Sequence, residues 1–174
     1  MQCHIVTFNN LKFLIYAMNK KVRNQILVMY SEDQDMRLSG RHDNSLDIKN
    51  TNEMKKIVKK YGWLTYDLVG FTAAKGAWLL VQHADHDVEF QKKCLELMKE
   101  AVRKNQASKE DLAYLTDRVF VNTGKPQLYG TQFGKKNPIP IKDKKNLDKR
   151  RVEMGLGKFK EYKNFMKKLN KTRK

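Results

Sequence analysis

Cysteine, proline and long apolar runs are scarce in this sequence, and each scarcity excludes a class of protein. The two cysteines, Cys3 and Cys94, are too few for a disulfide framework and lack the spacing of a metal site. Three prolines and nine glycines in 174 residues exclude a collagen-like or linker-like chain. No window approaches the roughly eighteen consecutive apolar residues of a spanning helix, so we expect no membrane partner. The composition predicts one compact cytoplasmic domain.

Acidic residues are outnumbered, and most of the resulting positive charge lies in the C-terminal tail. The net charge is +17, and residues 135–174 hold sixteen Lys or Arg against four Asp or Glu. Lysines outnumber arginines by 28 to 8, whereas sequence-reading proteins favour arginine for bidentate contacts. The tail is therefore interpreted as a solvated surface that can contact nucleic acid weakly, without sequence specificity and in a salt-dependent way.

Helical periodicity begins at Met18 and continues toward the C-terminus. Residues 1–17 show no clear period and no signal-peptide pattern, and are interpreted as an N-terminal extension of uncertain order. Residues 18–174 are predicted to form a single helical domain with lysine-rich C-terminal helices. We expect a mainly α fold, a compact bundle of five to seven helices, with one long irregular loop or short hairpin at about 123–141.

Capping residues predict where individual helices begin. Asn50 or Asn52 can cap a short helix, and Asp87 can cap a later one. Ser108 with Asp111 resembles a capping box with the shorter acid.

The apolar stretch 70–84 predicts a central buried helix that ends in polar residues, including Gln82 and His83. An unpaired buried polar group costs about 1–3 kcal/mol, so these residues need partners or a function. His83 is either a core histidine satisfied by a neighbour or a general acid or base tuned by a carboxylate. A metal site of His83, Asp85 and Asp87 is a weaker alternative, because its spacing matches no common zinc site. No cofactor is predicted.

Two charged pairs lie beside apolar stripes. Asp117 and Arg118 are adjacent on a helix, about 100° apart, so at least one points toward the bundle or the long loop. They form a structural ion pair, or Arg118 receives the anionic group of a ligand while Asp117 orients His83. Asp33 and Arg37 stand four residues apart on the apolar face of the first clear helix.

Three blocks and several shorter motifs carry a resemblance to a known family. The blocks are WLLVQHADxDxxFQ at 78–91, DLAYLTDRV at 111–119 and GxxQxYGTQ at 124–132, where x is any residue. With Asp33-Gln34-x-x-Arg37 and Gly62-Trp63, the chain from Met18 to about Tyr162 resembles a bacterial family catalogued as domain of unknown function 6624. The resemblance implies a shared fold and brings no reaction. Leu64 and Val88 stand where the family usually has proline, which affects helix entry more than chemistry.

The sequence favours a small-molecule enzyme, a hydrolase or group transferase that acts on an anionic, phosphate- or carboxylate-bearing substrate with His83 as acid or base. The alternative is a non-catalytic binding module whose basic tail contacts nucleic acid or an acidic protein partner. A solvent-reachable cleft would favour the enzyme, and a closed, fully satisfied polar network would favour the module. The predicted catalytic residues are His83, Asp117 and Arg118, and the predicted substrate-binding residues are Asp33, Gln34, Arg37, Gln82, Gln127, Tyr129 and Gln132.

Overall fold

The computed structural model describes residues 18–40, 43–134 and 137–172, with side chains through Leu169. Across these ranges the chain forms seven α-helices and one 3₁₀ turn, so the mainly α prediction is confirmed. The helices are α1 (Lys20–Leu38), α2 (Asn44–Tyr61), α3 (Tyr66–Gln82), α4 (Val88–Arg103), α5 (Lys109–Asn122), α6 (Leu147–Glu153) and α7 (Phe159–Thr172). The predicted N-terminal extension, 1–17, lies outside the described residues.

Local side-chain chemistry sets two of the helix starts as predicted. The Asp87 carboxylate accepts the Phe90 N–H over 3.0 Å at the start of α4. The Ser108 hydroxyl accepts the Asp111 N–H over 3.2 Å at the start of α5. Both side chains satisfy a helix N–H group that has no partner inside its own helix.

The predicted start of α2 is wrong. The helix begins at Asn44, and Asp43 is its N-cap because its carboxylate accepts the Ser45 N–H over 2.8 Å. Asn50 therefore lies inside the helix, where it is 2% exposed. Asp43, a residue type that commonly caps helices, stands seven residues before Asn50.

The chain divides into two compact units, of which the first ends at Leu80. In this unit α1 packs against α2 and buries Ile26 and Met54. Gly76 allows close approach of α1, since a Cβ there would lie 3.0 Å from the Tyr30 Cβ.

The second unit begins at Val81, and its helices hold a long loop between α5 and α6. Helix α4 packs against α5, and α6 packs against α7. The loop contains two isolated β-bridges, Gln127 with Ile141 and Phe133 with Pro138, which agrees with the predicted irregular loop or short hairpin. Among the described residues, no helix is long and apolar enough to cross a bilayer.

Candidate functional site

The carboxylate of Asp117 holds the first part of the long loop. Asp117 is fully buried on α5, and its Oδ1 accepts the N–H groups of Leu128 at 2.7 Å and Tyr129 at 3.0 Å. Its Oδ2 accepts both the N–H and the hydroxyl of Thr131, each at 2.9 Å. Three backbone donors that the loop could not pair internally are thus satisfied by one side chain. Asp117 has no hydrogen bond with His83.

Burial and hydrogen bonding act on Asp117 in opposite directions. Burial raises the pKa of this carboxyl above its ordinary value, and the donors from Thr131, Tyr129 and Leu128 oppose that rise. The Asp117 carboxylate therefore serves to bind the backbone of the loop.

The Gln127 side chain holds the long loop in one conformation through hydrogen bonds to other residues of that loop. Its fully buried Nε2 donates to the carbonyls of Gln132 and Ile139, both at 2.8 Å, and its Oε1 accepts the Gln132 N–H at 2.8 Å. All of these partners are backbone groups of the same loop. Gln127, which the sequence analysis placed among substrate-binding residues, shapes the segment that carries Gln132.

Arg118 is paired with Asp85, the carboxylate that follows the end of α3. The Arg118 Nε donates to Asp85 Oδ1 at 2.7 Å, and its Nη2 donates to Asp85 Oδ2. Its Nη1 donates to Gln132 Oε1 at 3.0 Å. The pair is bidentate, the geometry in which an arginine–carboxylate interaction is strongest and most directional. The structure therefore brings together two predicted site residues, Arg118 and Gln132, and adds Asp85 as a second partner of Arg118.

Two amides complete the contacts of Asp85. Asn122 Nδ2 donates to Asp85 Oδ1 at 2.8 Å and to Gln91 Oε1 at 3.0 Å. Gln91 Nε2 donates to Asp85 Oδ1 and to the Gln82 carbonyl, each at 3.3 Å. Partial burial acts to raise the pKa of Asp85, but Arg118, Asn122 and Gln91 together hold it below its ordinary value. The Asp85 side chain is 45% exposed and the Arg118 side chain 30% exposed, so solvent reaches an ionised, fixed pair.

Gln82 and His83 lie where α3 ends, next to this pair in the chain. Gln82 is 7% exposed, and its Oε1 has no hydrogen-bond partner among the described residues. His83 is half-buried and follows the last residue of α3. An unsatisfied buried acceptor in a native structure calls for an explanation, and a ligand donor is one.

Two arginines of α6 hold the loop from its other side. Arg150 Nε donates to the Leu128 carbonyl at 3.0 Å, and Arg151 Nη1 donates to the Tyr129 carbonyl at 2.6 Å. Burial raises the pKa of Tyr129, so its phenol stays protonated near neutral pH. The sequence pattern indicates no role for either arginine, although both lie in the stretch that resembles the family.

The predicted residues Asp33, Gln34 and Arg37 belong to the first unit. Arg37 Nε donates to Asp33 Oδ1 at 3.1 Å, and Gln34 Nε2 donates to Asp33 Oδ2 at 2.7 Å. Arg37 also contacts Asp47 at 2.5 Å, a partner that the sequence analysis missed. Arg37 therefore lies between two carboxylates, those of Asp33 and Asp47. The role of Asp33, Gln34 and Arg37 in substrate binding stays a prediction.

Two residues of the alternative metal site, Asp85 and Asp87, have other partners. In the part of the chain that the structure describes, no group of three His, Cys, Asp or Glu side chains is placed to hold a metal ion. Asp85 is committed to Arg118, and Asp87 caps α4. Burial raises the pKa of Cys94 to about 12, so its thiol is not a reactive thiolate.

These contacts define a helical protein in which one carboxylate and two arginines hold a loop beside an exposed ion pair. A family model described as a family of unknown function, DUF6624, matches residues 11–171. The chain belongs to this family, as its sequence blocks indicate. No curated protein and no solved structure matches the chain.

Proposed function

We propose that the chain is a small-molecule enzyme that binds an anionic, phosphate- or carboxylate-bearing substrate beside the Asp85–Arg118 pair. The observation that carries the proposal is the solvent-exposed, bidentate Arg118. Three of its five N–H donors go to Asp85 and Gln132, which leaves one donor on each of Nη1 and Nη2 without an acceptor among the described residues. A guanidinium that is held in one orientation with donors to spare suits an anionic group.

His83 is the proposed acid or base. Histidine is the side chain whose charge changes nearest to neutral pH, and His83 stands two residues before the fixed Asp85 carboxylate. Gln82, with a buried acceptor oxygen and no partner among the described residues, is proposed to accept an N–H or O–H group of the substrate. These groups suit hydrolysis or group transfer on a phosphate or carboxylate compound.

In this proposal Asp117, Gln127 and Tyr129 contribute through the conformation of the long loop and not by direct contact with the substrate. Asp117 and Gln127 fix the loop backbone, and the loop in turn places Gln132 against Arg118. Asp117 is therefore a positioning residue and not an orienter of His83. A site held by such supporting bonds keeps its donors aimed without reorganisation.

A thermal-shift screen of phosphate- and carboxylate-bearing metabolites identifies the ligand class, because a ligand that binds the folded state raises its melting temperature. A stabilising compound is then tested for turnover with three variants. Arg118→Gln should abolish the stabilisation, and His83→Gln should keep it while turnover falls by at least about a hundredfold. His86→Gln is the matched control, since His86 is an exposed histidine three residues along; it should change neither. Full turnover by His83→Gln, or no stabilising anion in the screen, would contradict the proposal.

The second candidate is the non-catalytic binding module. The observation that favours it is a chain of hydrogen bonds from Asp85 through Arg118, Gln132 and Thr131 to Asp117, a network of the kind that also specifies a fold. If Arg118→Gln unfolds the chain and no small anion stabilises the parent protein, this candidate is preferred.

A further inference from the structure

An open groove of about 360 Å³ lies in the second unit, away from the contacts of Asp85 and Arg118. Its walls come from α5, α6, α7 and the turn between α6 and α7. The residues that matter for its chemistry are Glu110, Tyr114, Arg151, Glu161, Tyr162 and Phe165.

Arg151 lies against the floor of this groove and is 2% exposed. Its Nε donates to the Gly157 carbonyl and its Nη1 to the Tyr129 carbonyl, both at 2.6 Å. The rings of Tyr162 and Phe159 lie 5.1 and 5.7 Å from the guanidinium carbon. The other three N–H donors have no acceptor, and no carboxylate is paired with Arg151, among the described residues.

A buried guanidinium without an anion is energetically unfavourable. Burial lowers the pKa of Arg151, and Tyr114, Tyr162 and the more distant carboxylates of Asp148 and Asp117 oppose that effect without forming an ion pair with it. Leaving one member of a buried ion pair without its partner destabilises a protein strongly, so an anion supplied from the groove would be bound favourably. The two carbonyls and two rings keep the guanidinium in a fixed orientation for it.

Two carboxylates stand at one edge of the groove. A Cβ added at Gly155 would lie 3.5 Å from Glu110 Oε1, and one at Gly157 would lie 3.8 Å from Glu161 Oε2, so both acids border the same short turn. Neither acid has a hydrogen bond or ion pair with another described residue. The groove therefore has a buried guanidinium at its floor, and two carboxylates with one exposed lysine, Lys158, at its edge. The excess negative charge at the edge disfavours a dianion such as phosphate and favours a ligand that carries both charges.

We propose that this groove binds an apolar α-amino acid. The ligand carboxylate would accept from the free N–H donors of Arg151, and its ammonium would face Glu110 and Glu161. Its side chain would pack against Tyr114 and Phe165, the latter a phenylalanine that is 59% exposed in the free protein. This site is separate from the proposed function and does not depend on it.

Isothermal titration calorimetry with three probes tests the charge pattern. L-phenylalanine should bind saturably at one site. 3-Phenylpropionate lacks the ammonium and phenethylamine lacks the carboxylate, and each should bind at least about tenfold more weakly, because each loses one charged contact. No saturable binding of L-phenylalanine up to about 10 mM would overturn the proposal. Equal affinity for either truncated probe would overturn it as well.

Variants at exposed positions place the site without disturbing the buried Arg151. Phe165→Ala should weaken L-phenylalanine binding by about tenfold. Phe71→Ala, which removes a phenylalanine that is 72% exposed in the first unit, is the matched control and should leave affinity unchanged. Glu110→Gln combined with Glu161→Gln should weaken L-phenylalanine binding and should not weaken binding of 3-phenylpropionate, which lacks the ammonium. Unchanged binding in Phe165→Ala would place the ligand elsewhere and overturn the proposal.

Discussion

At the scale of single residues, the buried charged side chains Asp117 and Arg151 of the second unit form hydrogen bonds with backbone groups. Asp117 accepts N–H groups of the long loop, and Arg151 donates to carbonyls on either side of α6. Neither is paired with an opposite charge among the described residues. A carboxylate with several backbone donors, or a guanidinium with carbonyl acceptors, keeps a loop in one conformation without a regular strand.

The first prediction concerns Asp117→Asn, which keeps the size of the side chain and replaces one acceptor oxygen by a donor. The new amide would face N–H groups of the loop, so we expect the free energy of unfolding to fall by about 2–4 kcal/mol. Urea denaturation measures it. Glu153→Gln is the control, since Glu153 is exposed, and should change stability by less than about 0.5 kcal/mol. Wild-type stability for Asp117→Asn would mean that the loop does not depend on this carboxylate.

The second prediction concerns the pH dependence of stability through Asp85. Its pKa is held below the ordinary value of 3.8, so folding favours the ionised form. Its contribution is complete above that value and is lost as pH falls through the lower pKa of the folded state. The stability difference between wild type and Asp85→Asn should therefore shrink as pH is lowered from 6 toward about 3. Because burial raises the pKa of Asp117, its contribution has the opposite sign, but it cancels in this difference. Denaturation curves across that range check the result; a difference that grows on acidification would contradict it.

At the scale of elements, the loop between α5 and α6 is held against α7 by close contact. Gly130 has a φ of 70°, and a Cβ there would lie 2.7 Å from Phe159 Cε2 and 3.2 Å from Ile141 Cδ1. Phe133 also meets Tyr162 edge-on, with ring centroids 5.6 Å apart. A glycine is thus required at 130 for two reasons, backbone conformation and space.

The third prediction separates those two reasons by comparing Gly130→Ala with Gly124→Ala. Gly124 has a φ of 72° but nothing within 4 Å of an added Cβ, so its substitution reports backbone strain alone. We expect a loss of about 1 kcal/mol for Gly124→Ala and about 2–4 kcal/mol for Gly130→Ala. Urea unfolding of both variants measures the difference. Equal losses would show that the loop can move away from Phe159 at no cost.

Local patterns in the sequence predict the helices well because local interactions determine them. Asp87 and Ser108 cap helices as expected, since a cap involves only residues three positions apart. The start of α2 after Asp43 was predicted wrongly, and the reason is also local. The apolar periodicity of α2 is weak at its start, and Asn50 offered a competing capping signal inside the helix. Boundaries of this kind are decided by which of several capping residues also suits the packing.

The contacts of the candidate site could be predicted only in part. The sequence identified Asp117 and Arg118 as a charged pair next to an apolar stripe, with at least one of them pointing inward or toward the loop, and it placed Gln132 among the binding residues. It did not pair Arg118 with Asp85, because these residues are 33 positions apart and only the packing of α5 brings them together. Arg151 was missed for a similar reason, since neighbouring charges made the segment look like a solvated surface.

At the scale of the whole molecule, the net positive charge affects which partners the protein associates with and does not determine its fold. The net charge is +17, and lysines such as Lys160 and Lys167 are exposed on α7. Binding of such a surface to duplex DNA is driven by release of counterions, so it weakens steeply as salt rises. Lysine offers a mobile point charge and lacks the bidentate geometry that reads base edges.

The fourth prediction is that DNA binding by the C-terminal tail is weak, lacks sequence preference and disappears near physiological salt, about 0.15 M. Fluorescence anisotropy with two unrelated duplexes should give the same affinity for both at low salt. Lys160→Gln with Lys167→Gln should weaken that binding more than Lys55→Gln with Lys59→Gln, which removes the same charge from exposed positions of α2. The reason is that the surrounding tail concentrates positive potential, and the potential adds to each contact with a phosphate.

Equal effects of the two double variants would show that binding follows net charge alone. Binding of one duplex that persists at about 0.2 M salt would contradict the prediction, because counterion release alone does not sustain it there.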